Sequence, residues 1–154
     1  MAITQAMTTS FKVEILDGIH NFGTGVIRAS TAADVFKLAL YTSSATLDST
    51  TTAYTTSNEV SSSGTNYTAG GLTLTISQVP TSTSTTAWLD FDDLTFASAT
   101  LTANGALIYN ATQSNKAVAV LAFGGDKTST AGNFTIQFPA ATSTTAILRI
   151  AYLS

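Results

Sequence analysis

The chain carries one histidine, His20, and one gathering of carboxylates, Asp90, Asp92 and Asp93 in WLDFDDLTF. A hydrolytic triad needs a base that a second group holds in place. No carboxylate stands at a spacing from His20 that would orient it, so the residue reads as a helix-end histidine near the last carbonyls. Asp90 and Asp92 would share a strand face, which offers two oxygen ligands to a hard cation such as calcium. The spacing is unlike an EF-hand loop and further ligands would have to come from distant loops. A solvated strand end, or a turn capped by Asp side chains, is the simpler reading of the three. GGDKTSTAG, residues 124–132, lacks the G-x-x-x-x-G-K-[ST] order of a phosphate loop and runs into NFTIQF, a strand pattern where such a loop needs a helix. It reads as a hairpin connection. No catalytic, metal or cofactor site is expected from these residues.

Trp88, Tyr41, Tyr54, Tyr67 and Tyr109 are the residues that could stack on sugar rings, but only Tyr54 and Tyr67 fall in loops. Cysteine is absent, which removes disulfides, thiol catalysis and thiolate metal sites together. The six basic residues, Lys12, Arg28, Lys37, Lys116, Lys127 and Arg149, are scattered and the net charge is −3, so no nucleic-acid partner is expected. The longest apolar run, Ala117 to Phe123, is far too short to span a bilayer, so no membrane partner is expected either. MAITQAMTTSFK shows no basic lead followed by an apolar core, and no secretory signal is expected.

Whatever these residues do, β-structure must position them. Charged residues make up 10% of the chain against about 25% in typical soluble domains, while 30 Thr and 17 Ser supply small hydroxyls in their place. Threonine suits a pleated surface, so the composition predicts strands with hydroxylated outer faces. At the N-terminus the period differs. Ile3, Met7, Phe11, Ile15 and Ile19 recur every four residues, which predicts an amphipathic helix over residues 1–22 that ends near Gly18 to Gly23. From residue 23 to 154 the period is two, in Phe36/Leu38/Leu40, Leu72/Leu74/Ile76, Trp88/Asp90 against Leu89/Phe91, Leu107/Tyr109, Val118/Val120, Phe134/Ile136/Phe138 and Leu148/Ile150. Polar clusters at 43–57, 58–71, 80–86, 110–115, 124–133 and 139–145 read as turns. The expectation is a single domain, an antiparallel β-sandwich of about seven or eight strands, jelly-roll-like or Ig-like, with one N-terminal α-helix. The stripe Phe11, Ile15, Ile19 and Phe22 either covers one end of the core or docks on a neighbouring subunit as an assembly interface.

Four segments, FKLALYTSSATL (Phe36 to Leu47), NEVSSSGTNYTAGG (Asn58 to Gly71), LTANGALIYNAT (Leu101 to Thr112) and FGGDKTSTAGNFTIQFP (Phe123 to Pro139), together resemble small virion structural proteins of tailed bacteriophages. In that group the second segment is shorter, whereas here Ser61 to Ser63 lengthen it, and the position of Asn104 is often arginine. The resemblance implies a non-enzymatic virion component, most plausibly a capsid decoration or cement protein on the outer head. Its implied partners are other virion proteins, foremost the major capsid protein, and further copies of itself as a homo-oligomer. The implied location is the virion, assembled in the bacterial cytoplasm. The alternative is a tail or fibre-associated protein that contacts host glycans.

Overall fold

The computed structural model of the protein describes residues 2–16, 18–23 and 33–151. Gly25 and Arg28 lie outside them. The elements are β1 (Ala6–Met7), α1 (Thr9–Leu16), β2 (Phe36–Tyr41), β3 (Leu72–Thr73), β4 (Ile76–Thr83), β5 (Thr86–Phe91), β6 (Leu94–Asn110), β7 (Lys116–Ile136) and β8 (Leu148–Ala151). They form two antiparallel sheets, in the orders β1-β7-β6-β2-β3 and β4-β5-β8. The expected mainly β architecture with one helix near the N-terminus is what the chain adopts.

The five-stranded sheet is built on a long β6–β7 hairpin that runs from the pair Leu94↔Ile136 to the pair Asn110↔Lys116. β2 joins it along Gly105–Asn110. FKLALY is buried at every position except Lys37, as a central strand covered on both faces must be. Phe36, Leu38 and Leu40 face one cluster with Phe91, Phe96, Ile108 and Val118. Ala39 and Tyr41 face the other with Leu107, Tyr109 and Val120.

The strand pairing corrects two sequence expectations. GGDKTSTAG is not a connection between strands but part of β7: the stretch Phe123–Asp126 stands opposite Asn104 alone, between the pairs Ala103↔Lys127 and Gly105↔Ala122. Such a bulge bends and twists the ribbon, and Gly124 and Gly125 supply its positive φ values of 71° and 142°. Asn104 holds it, donating from Nδ2 to Asp126 Oδ1 at 2.8 Å. The segment 80–86 is likewise strand for most of its length, since β4 and β5 pair down to Thr83↔Thr86. Period-two reading missed both because Thr, Ser and Gly occupy faces that have no apolar partner.

The N-terminal helix is shorter than expected. Thr8 caps it, its Oγ1 accepting from the Phe11 amide at 3.3 Å, and it closes at Gly18. There the Ile19 amide bonds the Glu14 carbonyl at 2.9 Å and the Gly18 amide bonds the Ile15 carbonyl at 3.0 Å, with Gly18 at φ 68°, the pattern of a left-handed C-terminal cap. Residues before Thr8 are extended instead: Ala6 and Met7 pair with Val120 and Ala119, and Ile3 bridges Leu47. The spacing of four is a coincidence of two extended residues, Ile3 and Met7, two helical ones, Phe11 and Ile15, and Ile19 beyond the cap. No helix among the described residues is long and apolar enough to cross a membrane.

Candidate functional site

His20 sits where acid–base chemistry would be sought, and the structure surrounds it with groups that the sequence order keeps apart. Its side chain is fully buried, and Nε2 lies 2.7 Å from Glu14 Oε2. Nδ1 lies 3.0 Å from Asn110 Nδ2. An amide nitrogen can only donate, so Nδ1 must accept, and the single proton of the neutral ring sits on Nε2 and is donated to Glu14. Glu14 Oε1 also accepts from Lys116 Nζ at 2.7 Å. Asn110, wholly buried, donates to Asp34 Oδ2 at 2.7 Å and accepts from the Thr112 and Gln113 amides, which shapes the β6–β7 turn.

The electrostatics follow from this packing. Burial pushes the His20 pKa below its ordinary value, against the pull of Glu14 and Asp34. Burial alone would raise Glu14, but the hydrogen bonds and charges of Lys116 and His20 outweigh it and hold the carboxyl below its usual range. Both ring nitrogens are thereby committed. The cluster ties α1 and the segment after it to the β6–β7 turn, as a latch. The expectation that His20 contacts helix-end carbonyls is corrected: its partners are Glu14, six residues back, and Asn110, ninety residues on.

A second cluster fastens the NEVSSSGTNYTAGG segment. Glu59 Oε1 accepts from Tyr67 Oη and from the Gly70 amide, both at 2.6 Å, and Oε2 accepts from Tyr54 Oη at 2.7 Å. The Leu40 amide donates to Tyr67 Oη at 3.0 Å, and Tyr109 Oη donates to the Gly70 carbonyl at 2.7 Å. Burial, with Glu59 beside them, pushes the Tyr67 and Tyr54 hydroxyls far above their ordinary value. Gly70 and Gly71 turn the chain at φ 82° and 72°, and a Cβ on Gly71 would stand 1.7 Å from the Leu38 carbonyl oxygen. Only glycine fits between the loop and β2.

The expected assembly stripe is divided by the fold. Phe11 is 1% and Phe22 7% exposed, packed edge-on to each other, with Phe22 stacked on Phe36 at 4.1 Å between ring centroids. Ile15 and Ile19 are half-buried. As an interface, therefore, Phe11 and Phe22 are corrected to core of their own chain, while the helix shows Val13 to solvent at 54% exposure. Phe11, Ile15, His20, Trp88, Leu89 and Leu148 line a cavity of about 190 Å³ between α1 and the three-stranded sheet.

The three aspartates do not converge. Asp90 is 1% exposed, which corrects its reading as a solvated strand end, whereas Asp92 and Asp93 are exposed and Asp93 caps the Phe138 amide at 2.8 Å. Among the described residues no group of His, Asp or Glu side chains is placed to hold a metal ion. Both sugar-stacking candidates that lie in loops are also committed, Tyr54 against Tyr109 at 4.7 Å and Tyr67 against Phe96 at 5.5 Å between ring centroids. No family model matches the chain, and comparison with curated proteins and with solved structures yields no match.

Proposed function

We propose that the protein is a non-enzymatic structural component of a tailed-bacteriophage virion, seated on the outer head as a capsid decoration or cement protein. The observation that carries this reading is the Glu59 lock. Glu59, Tyr67, Gly70 and Gly71 lie in one of the segments through which the sequence resembles the virion proteins, and they are the residues that fasten a long loop to the central strand. The shared residues thus form a mechanical unit, which supports kinship over chance similarity of Thr-rich turns. The single histidine is spent on a latch, and the exposed ladder carries paired hydroxyls, Thr95 with Thr135 at 2.9 Å and Thr102 with Thr128 at 2.8 Å. A charge-poor surface of this kind packs closely against a neighbour with little repulsion to overcome. The glycan-binding alternative has less behind it, because Tyr54 and Tyr67 turn their hydroxyls to Glu59.

Quantitative mass spectrometry of purified virions tests the proposal. A shell protein is repeated over a symmetric capsid, so on the order of hundreds of copies are expected. About three to a dozen copies would place the chain on the tail, and none would remove it from the particle.

A further inference from the structure

The three-stranded sheet ends on β8, and no described strand lies beside its outer edge. The opposite edge, β4, carries Pro80 and two register shifts, devices that keep an edge from templating further pairing. β8 has neither. A strand paired on one side turns alternate N–H and C=O groups outward, and no described backbone group outside β5 bonds those of Leu148–Ala151.

Along this edge runs a groove of about 290 Å³ lined by Met7, Lys12, Ile15, Arg149, Ile150 and Ala151. It shares Met7, Ile15 and Ile150 with the apolar cavity beneath α1. Ile150 is 52% exposed. Both charged side chains that line it, among the described residues, are cations, in a chain that has only six and a net charge of −3. Neither forms an ion pair with a described carboxylate, and Arg149 donates to the Thr144 carbonyl.

We infer that this groove receives an extended acidic segment of another protein, added as a fourth strand on β8. The backbone edge supplies the ladder, the cavity takes one apolar side chain, and Lys12 and Arg149 pair with flanking carboxylates. A second copy is the poorer occupant, because pairing β8 with β8 would bring another Lys12 and Arg149 into the same groove. That the segment belongs to a neighbouring particle protein rests on the virion reading; the chemistry of the groove does not.

The test uses the full chain and two short capped peptides, one alternating valine with glutamate and one alternating valine with lysine, followed by fluorescence anisotropy and amide hydrogen exchange. The glutamate peptide is expected to bind, to protect the alternate amides of Leu148–Ala151 that face away from β5, and to lose affinity by about tenfold or more in Lys12→Glu/Arg149→Glu and with added salt. Both substituted residues are exposed, and an unchanged melting temperature establishes that the variant is folded. Absence of binding, equal binding of the lysine peptide, or protection confined to another strand would each overturn the inference. So would a dimer whose outward-facing β8 amides are already protected without peptide. These outcomes are read on the isolated chain, so they stand or fall independently of the copy number in virions.

Discussion

Two carboxylates fasten irregular chain to the five-stranded sheet, and they use different partners. Glu59 gathers two tyrosine hydroxyls and a backbone amide, all within 2.7 Å. Glu14 gathers a lysine and the only histidine, both at 2.7 Å. The tyrosines keep their protons throughout the neutral range because burial moves them further above an ordinary value of 10.0. Burial lowers the His20 pKa from an ordinary value of 6.5, so the ring takes up its second proton only in acid. One fastening has donors indifferent to mild acid; the other can be opened by a proton. The difference separates a loop fastening that mild acid leaves intact from an N-terminal fastening that mild acid weakens.

The Glu59 fastening is most vulnerable at Gly71. Its Cβ position lies 1.7 Å from the Leu38 oxygen and 2.4 Å from the Leu38 carbonyl carbon, and neither is a flexible side chain that could move aside. The backbone at φ 72° adds strain for any other residue. Gly71→Ala is expected to lose about 4 kcal/mol or more, a large share of an ordinary domain's stability. Urea unfolding checks it; a near-normal midpoint would mean that the loop does not meet β2 as described.

Next in size is the carboxylate itself. Glu59→Ala orphans two hydroxyls and the Gly70 amide, with an expected loss of about 3 kcal/mol. Glu59→Gln keeps an acceptor for Tyr67 and Gly70, and Tyr54 can turn its hydroxyl to accept from the new amide, so its loss should stay near about 1 kcal/mol. Equal losses in the two variants would show that packing, not hydrogen bonding, holds the loop.

The histidine latch gives a smaller effect and one that depends on pH. A histidine whose folded pKa lies below its unfolded value binds more protons when unfolded, so its contribution is complete above about 6.5 and falls as pH drops through that value. Protonation would place a second donor against Asn110 Nδ2 and break that bond. Glu14, held below its ordinary 4.5, adds a second loss only as pH falls under that figure. Melting curves between about pH 7.5 and pH 5 should therefore slope downward toward acid in the native chain, and the slope should flatten in His20→Gln. An unaltered slope in the variant would assign the acid sensitivity elsewhere.

How far the sequence discloses these features depends on whether their partners lie within one period. FKLALY is legible because a strand buried on both faces is apolar at nearly every position. The cap at Gly18 is legible as a glycine after an apolar stripe. The latch is not, because Glu14, Asp34, Asn110 and Lys116 come from four separate segments and carry no shared spacing. The middle of the β6–β7 ladder is also hidden: Thr102 and Thr128 face solvent, so nothing in their hydropathy distinguishes strand from turn. The Glu59 lock stands between these cases. Its glycines and Tyr67 mark an unusual turn, but the acceptor that unites them is eight residues from one partner and eleven from another.

Asp90 is buried as Glu14 is, and its effect on the fold has the opposite sign. Its Oδ1 accepts from the Phe91 amide at 2.9 Å, but its Oδ2 is buried without a hydrogen bond. Burial pushes its pKa above the ordinary 3.8, a shift that the Phe91 and Ile147 backbone amides oppose and Asp93 slightly reinforces. A group whose folded pKa is raised weakens the fold at neutral pH, and that penalty disappears as pH falls through the raised value toward 3.8. Asp90→Asn keeps the shape and an acceptor for Phe91 while removing the buried charge, so it is expected to gain about 1 kcal/mol at neutral pH. That corresponds to a rise of about 2–4 °C in Tm for a domain of this size. The gain should shrink in acid, where the native side chain is itself neutral. A loss in Asp90→Asn, together with a rise in the native Tm on adding calcium, would instead return the aspartates to the cation reading.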